Sequence, residues 1–499
     1  MLISPRSFAV LSAAATLSCH AQAAPLATPG CSGLSAAACL AQSLTAMGGR
    51  EKLERIHSIS LDVISHTQLM EQSYRQAPFI TSYERDSTRL DFTGQRLRTQ
   101  AHGIWPESDL NQAESDSTLI ATPAGGVYHS AQGDSPCARA DLDSTREQLG
   151  LSPTRALLSA LAAPDLRYAP SEVLRETEHT VLAFTWNGVP VRLVLNRYNH
   201  LPDAIETRAR FNDFWYYWGE VAQRTYWDNW RYIQGVSYPS NQIIERNGVL
   251  WSSTQALDVH FNPALAEPDF AMDAKAVEQS AQAKGWERPF SAAKDTVLAA
   301  GIDLYRGSWN TTLVQQGDGV VILETPISAN FTRGIFAEAA RKYQGEKVTA
   351  VLMTSDSWPH VGGLPFDVSA RVPLYVLDLN VPLLKRLLTA APHSAGTRVD
   401  WRVIAGKQTI GAGANRMELY PLRGASTERQ YMVYFPEHAL LYASDTLVLN
   451  SNHTLYDPQL MHEVREAVER EHLRVETVYA MHEGPTPWKD VIALLDASA

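Results

Sequence analysis

Cysteine is scarce in this chain, with 4 in 499 residues. That is too few to staple a protein of this length, so its stability must come from a buried core. Charge is modest as well: 19% of residues are charged against 45% hydrophobic, which excludes disorder as the overall class. Basic residues are the minority, 43 against 54 acidic, for a net charge of -11. No segment gathers Lys and Arg beside interleaved aromatics, so no nucleic-acid partner is expected. Beyond residue 23 no apolar run approaches the roughly 18 residues of a membrane span, and none is expected once the leader is removed. The chain also lacks a G-x-S-x-G elbow, a G-x-x-x-x-G-K-[ST] phosphate loop and a Gly-rich dinucleotide turn. Serine-nucleophile, nucleotide and nicotinamide chemistry therefore lack their minimum sequence.

What is present begins with an address. Residues 1–23 carry Arg6, the apolar stretch FAVLSAAATLSC and the small-x-small triplet Ala21-Gln22-Ala23, the pattern of a signal peptide cleaved near Ala23 or Ala24. The expected location is secreted or periplasmic. If Cys19 leaves with the leader, Cys31, Cys39 and Cys137 remain. A Cys31–Cys39 bridge around a small loop is the first choice, although spacing alone leaves the pairing open.

Residues 24–271 read as one β-rich unit. CLAQSLTAMGGREKLERI predicts a short helix, a break at Gly48-Gly49 and a second helical turn. Alternating segments follow, punctuated by Thr93-Gly94, Asn187-Gly188 and Asn247-Gly248, which are hairpin signals. One helix is expected over about Ser152 to Ala163. Five of the 12 tryptophans lie between Trp215 and Trp251, including Trp218, Trp227 and Trp230. Such rings either fill the inner face of a curved sheet or line a small-molecule, lipid or glycan pocket. Residues 272–286 read as a helical connector. Over 287–499 strand runs alternate with amphipathic helices, the pattern of a layered α/β unit. The fold class expected is α+β overall: a curved antiparallel half-barrel, then a layered domain.

Two resemblances sharpen this. GGREKLERIHSISLDV and the run from WGEVAQRTYWDNW to VHFNP are similar to periplasmic lipoprotein-carrier domains, which implies an open barrel able to hold an acyl chain. The second half resembles the metallo-β-lactamase superfamily: LYRG with Asn310 and VVILETP, then VTAVLMTSDSWPHVGGL, YFPEHALLYASD and VYAMHEGPTPW occur in that family's order. The resemblance implies an αββα sandwich and a hydrolytic metal centre, where one T-H-x-H-x-D-H loop normally helps hold two ions.

Carried over residue by residue, the first-site histidines fall on Ser355, Ser357 and Ser426, and the loop Asp falls on Pro359. A serine hydroxyl is a poor zinc ligand and a proline ring is none. The second-site ligands persist as His360, Asp445 and His482. Two imidazoles and a carboxylate suit one Zn(II) or Fe(II), so the resemblance implies at most one ion, or none. Asp445 and His482 would carry the catalytic role. Asp356 lies one position out of register, and His453 is a candidate substitute ligand whose plainer reading is an exposed loop residue. His393, His438, His462 and His472 read as surface. Two functions follow: a mononuclear hydrolase of an ester, amide or thioester with weak or specialised activity, and an inactive binding protein for a lipid, glycan or protein partner.

Overall fold

The computed structural model describes residues 26–69, 79–105, 114–210, 220–292, 294–390 and 398–498. The leader, Trp215, Trp218 and His393 lie outside them. The described residues form a strand-rich α+β structure with three sheets of 13, 7 and 6 strands.

The 13-stranded sheet is antiparallel throughout and runs from Ser58–Gln68 to Val249–Phe261. Its first and last strands pair with each other at the centre, Ile59 opposite Phe261. The three hairpin signals do connect neighbours, with Asn187 and Asn247 in left-handed backbone conformations as tight two-residue turns require. Helices Ala36–Ala46 and Ala156–Ala162 bury Leu40, Leu44, Leu157 and Ala160 against Leu182, Phe184 and Trp227 of the sheet. Cys31 and Cys39 are disulfide-bonded, and Cys137 is a buried free thiol pushed up to about 12 by burial.

The helix expected over about Ser152 to Ala163 is present as Ala156–Ala162, and a further helix that was not expected, Arg139–Leu151, precedes it. Ser152-Pro153 separates them, because proline cannot donate into a continuing helix. The first of the pair, RADLDSTREQLGL, has Ala140, Leu142, Leu149 and Leu151 as its apolar residues, too few for a continuous stripe to announce it. The helix Ala274–Gln282 packs along the first sheet, where Ser280 accepts from the Gly126 amide and donates to the Cys137 carbonyl.

The other two sheets face each other. Ile302, Leu304, Val314, Val321 and Leu352 of one meet Met417, Leu419, Tyr431, Val433 and Tyr442 of the other in a shared core. Helices Ala329–Lys342, Leu364–Ala370 and Val381–Ala390 cover the outer face of the seven-stranded sheet, and Pro458–Arg470 with Trp488–Ser498 cover the six-stranded one. Val221 of the 13-stranded sheet is buried in the same cluster as Tyr305 and Phe331, so the two halves share packed surface.

Two parallel pairings decide where loops gather. Strand Gly319–Leu323 runs parallel to Val348–Leu352, and Leu440–Tyr442 parallel to Thr477–Tyr479. The segments that follow these four strands therefore leave in register at strand C-termini. Gly362 and Gly363 allow two of them to interlock: a Cβ at Gly362 would meet the Ile327 carbonyl oxygen at 2.3 Å, and one at Gly363 the Thr325 carbonyl oxygen at 2.4 Å. Backbone cannot yield as a side-chain tip can. Gly363→Ala should cost about 2 kcal/mol or more in urea unfolding, the scale of core overpacking. Gly406→Ala, where a Cβ meets nothing within 4 Å, should stay within about 0.5 kcal/mol. Equal effects would contradict this packing.

Candidate metal centre

Each of the four loops brings one piece. Glu324 directly follows Gly319–Leu323, His360 sits on the short turn Trp358–Val361, Asp445 follows Leu440–Tyr442, and His482 follows Thr477–Tyr479. Asn310 anchors the last loop: its side-chain amide donates to the carbonyls of Ala480 at 2.8 Å and Glu483 at 3.1 Å, and its own N–H donates to the Met481 carbonyl.

His360, Asp445 and His482 come together. The two Asp445 oxygens lie between the rings, Oδ1 3.0 Å from Nε2 of His482 and Oδ2 3.7 Å from Nε2 of His360. Behind each ring stands a second acceptor. Nδ1 of His360 is 3.0 Å from Glu324, and Nδ1 of His482 is 2.9 Å from the Ser308 carbonyl oxygen. For His482 this hydrogen bond fixes which nitrogen faces forward, the support that metal-bound histidines ordinarily have, whereas the His360–Glu324 contact is an ion pair without hydrogen-bond geometry.

Depth grades across the site. His360 and Glu324 have no exposed surface, while the His482 side chain is 30% exposed and forms the mouth. Trp309 packs edge-on to His482 with Trp286 behind it, and the Arg288 guanidinium lies over both indoles. Burial alone would lower the His360 imidazole, but the Glu324 and Asp445 carboxylates outweigh it and push the ring up to about 10. Burial likewise opposes ionisation of Asp445, yet the two imidazoles hold it well below the usual carboxylate range.

The base of the site is a network that the sequence reading passed over. One Glu324 oxygen accepts from the Thr354 amide, the Thr354 hydroxyl and the Tyr442 hydroxyl. Thr354 also meets Ser444 at 2.7 Å, and the Asp445 amide donates to Gln430. Glu324, Ile327 and Ser444 all have left-handed backbone, with φ of 71, 75 and 57°. Such strain in non-glycine residues, one of them β-branched, is held only where surrounding structure over-determines it.

Polar capacity is left over here. The second Glu324 oxygen, both His360 nitrogens, the Ser357 hydroxyl and the Gln430 amide nitrogen are buried without a well-formed hydrogen bond. Among the described residues no group of three or more His, Cys, Asp or Glu side chains is placed so that it could hold a metal ion as it stands. By donor type the three residues supply two imidazoles and a carboxylate, and orphaned buried polar atoms stand beside them.

The three serine positions have different surroundings. Ser355 and Ser357 are buried, and the Ser355 hydroxyl accepts from the Ser357 amide. Ser426 is tied elsewhere, its amide donating to Glu463 of helix Pro458–Arg470. Asp356 lies in the same loop, between the two buried serines. Its side chain is buried and pairs with the buried Arg429 at 2.5 Å, while Arg429 also donates to the Leu379 carbonyl. Desolvation raises the Asp356 carboxyl and Arg429 draws it back only in part. The backbone of Pro359 belongs to the turn that carries His360. His453 is exposed in a turn closed by its own amide on the Asn450 carbonyl and makes no contact with the cluster. His462 and His472 are exposed, whereas His438 is half-buried against Asn415.

No protein-family model and no curated protein matches the sequence. Among solved structures the chain is similar to a stereoselective inverting sec-alkylsulfatase from a Pseudomonas species, at 14% identity over 41% of this chain and 40% of that one, with a TM-score of 0.32. A metallo-β-lactamase from Hirschia baltica aligns at 14% identity over 42% of this chain and 97% of its own, TM-score 0.33. One from Erythrobacter litoralis aligns at 20% identity over the same shares, TM-score 0.33.

The buried ion pair gives a test independent of any metal. Arg429→Met strands the Asp356 carboxylate and should cost about 3–5 kcal/mol in denaturant unfolding, and the double variant with Asp356→Leu should recover most of it. A double variant as unstable as the single one would contradict the pairing.

Proposed function

We propose that this chain is a secreted or periplasmic hydrolase whose centre holds one divalent metal ion, on His360, Asp445 and His482. The observation that carries the reading is the pair of back-held imidazoles turned toward a shared carboxylate at the strand C-termini. The two facing sheets with helices outside support an αββα arrangement for 287–499, as the sequence motifs of the metallo-β-lactamase superfamily imply. The 13-stranded sheet with its covering helices supports a curved half-barrel for 24–271, with 272–286 as connector. The Cys31–Cys39 bridge supports an oxidising compartment.

An ion held there supplies a Lewis acid for opening an ester, amide or thioester. The protein's own residues do the rest. Glu324 and the Ser308 carbonyl keep the two rings aimed, Asp445 offers its carboxylate between them, and the Trp309 and Trp286 indoles wall the mouth and exclude water. Arg288 stands where an anionic substrate group would arrive.

The serines and the Asp356–Arg429 pair favour one ion over two, because neither a hydroxyl nor a guanidinium replaces an imidazole as a ligand. Without a loop acid to orient water, hydrolysis of generic lactams or thioesters is expected to be weak, and the activity specialised. A protein that only binds a lipid, glycan or protein partner is the second reading, favoured by the same losses.

Protein purified without chelator or His-tag should contain one equivalent of zinc or iron, and His482→Ala and Asp445→Asn should each lose it while keeping the native melting temperature within a few degrees. Metal-dependent turnover that vanishes in His482→Ala establishes the hydrolase. Two tightly held equivalents, or none in the native protein, would overturn the single-ion centre.

A further inference from the structure

An arginine without an acid stands at the mouth of the metal centre. Arg288 is half-buried, and its guanidinium carbon lies 5.7 Å from the centre of the Trp286 ring and 5.6 Å from that of Trp309. Trp309 in turn meets the His482 ring edge-on, with 5.9 Å between centres, and its neighbour Ser308 supplies the carbonyl behind His482. One indole therefore separates the guanidinium from the most exposed of the three site residues.

Its donors are unspent. Among the described residues no carboxylate forms an ion pair with Arg288 and no acceptor receives a hydrogen bond from it, while none of its nitrogens is sealed from solvent. Arg306 and Arg429, also at this centre, are each matched to an acid, Glu483 at 3.7 Å and Asp356 at 2.5 Å. Ring contacts close to the outer limit of about 6 Å hold a guanidinium weakly and leave its N–H groups unused. Partial burial with no compensating charge lowers the Arg288 pKa, a cost that an arriving anion would offset.

The backbone that carries this cation is pinned on both sides. The Glu287 carbonyl accepts from the Asn330 side chain at 3.0 Å, and the Phe290 ring packs edge-on against Phe331 and Tyr305. Phe290 lies so close to the helix Ala329–Lys342 that a Cβ at Gly334 would meet the Phe290 Cβ at 2.3 Å. A charge on so fixed a base loses little conformational freedom when a ligand engages it.

We propose that Arg288 recognises a carboxylate on the substrate, set apart from the scissile ester, amide or thioester bond, with an apolar stem beside the two indoles joining the two groups. A planar guanidinium presents paired N–H donors that match the two oxygens of a carboxylate. A single unmatched cation also suits a single negative charge better than a dianion. The substrate class rests on the hydrolase reading above, whereas the anion site itself does not.

Benzoate and benzamide separate the two, because they share a shape and differ by one charge. Calorimetric titration of chelator-treated full chain should show benzoate binding at least tenfold tighter than benzamide. Arg288→Gln should erase that preference with the melting temperature unchanged within a few degrees, and His482→Ala should keep it. On zinc-loaded protein, mono-4-nitrophenyl succinate should exceed 4-nitrophenyl butyrate in kcat/KM at least tenfold, and Arg288→Gln should remove the advantage through KM. Equal binding of benzoate and benzamide, a preference undiminished in Arg288→Gln, or equal kcat/KM for the two esters would overturn the proposal. Absent turnover of both esters beside an intact, Arg288-dependent benzoate preference would count against the hydrolase reading and uphold the anion site.

Discussion

A carboxylate and an imidazole with no exposed surface, Glu324 and His360, meet at 3.0 Å in the floor of the site. Burying either alone would cost several kcal/mol, so each is tolerable only because the other is in place. Glu324 leaves one sheet and is held there by Thr354 of that sheet's neighbouring loop and Tyr442 of the facing sheet. The contact therefore locks the relative position of the two sheets as well as the ring. His360 Nε2 then has one direction to face, toward Asp445, and His482 completes the group from the opposite side. The left-handed backbone at Glu324 and Ser444 and the glycine pair at 362–363 are the local costs of bringing these loops together.

How much of this was legible follows from residue chemistry. His360, Asp445 and His482 stood out because their order and flanking strands survive in the sequence, although 122 positions separate the first from the last (482 minus 360). The hairpins were legible because Asn-Gly has one backbone use. Glu324 was not, since a glutamate ending an apolar run reads as the strand reaching solvent. Arg429 was missed for a similar reason: arginine is read as surface unless its carboxylate partner is known, and Asp356 lies 73 positions away (429 minus 356). The helix Arg139–Leu151 escaped because the residues it buries, Thr145, Leu149 and Leu151, are too few to announce an apolar stripe among its charged and polar neighbours.

At the metal centre, buried atoms without hydrogen bonds mark a place built for something more than packing. These groups stand on loops that leave the C-terminal ends of paired parallel strands, which give them a rigid frame.

The central claim concerns a ligand set. The measurement closest to it is X-ray absorption at the metal edge of protein loaded with one equivalent of zinc. Two imidazole nitrogens and oxygen donors at about 2.0–2.2 Å, with no neighbouring metal, are the result the account predicts. Scattering from a second metal at about 3.5–4 Å, or a first shell without imidazole, would contradict it.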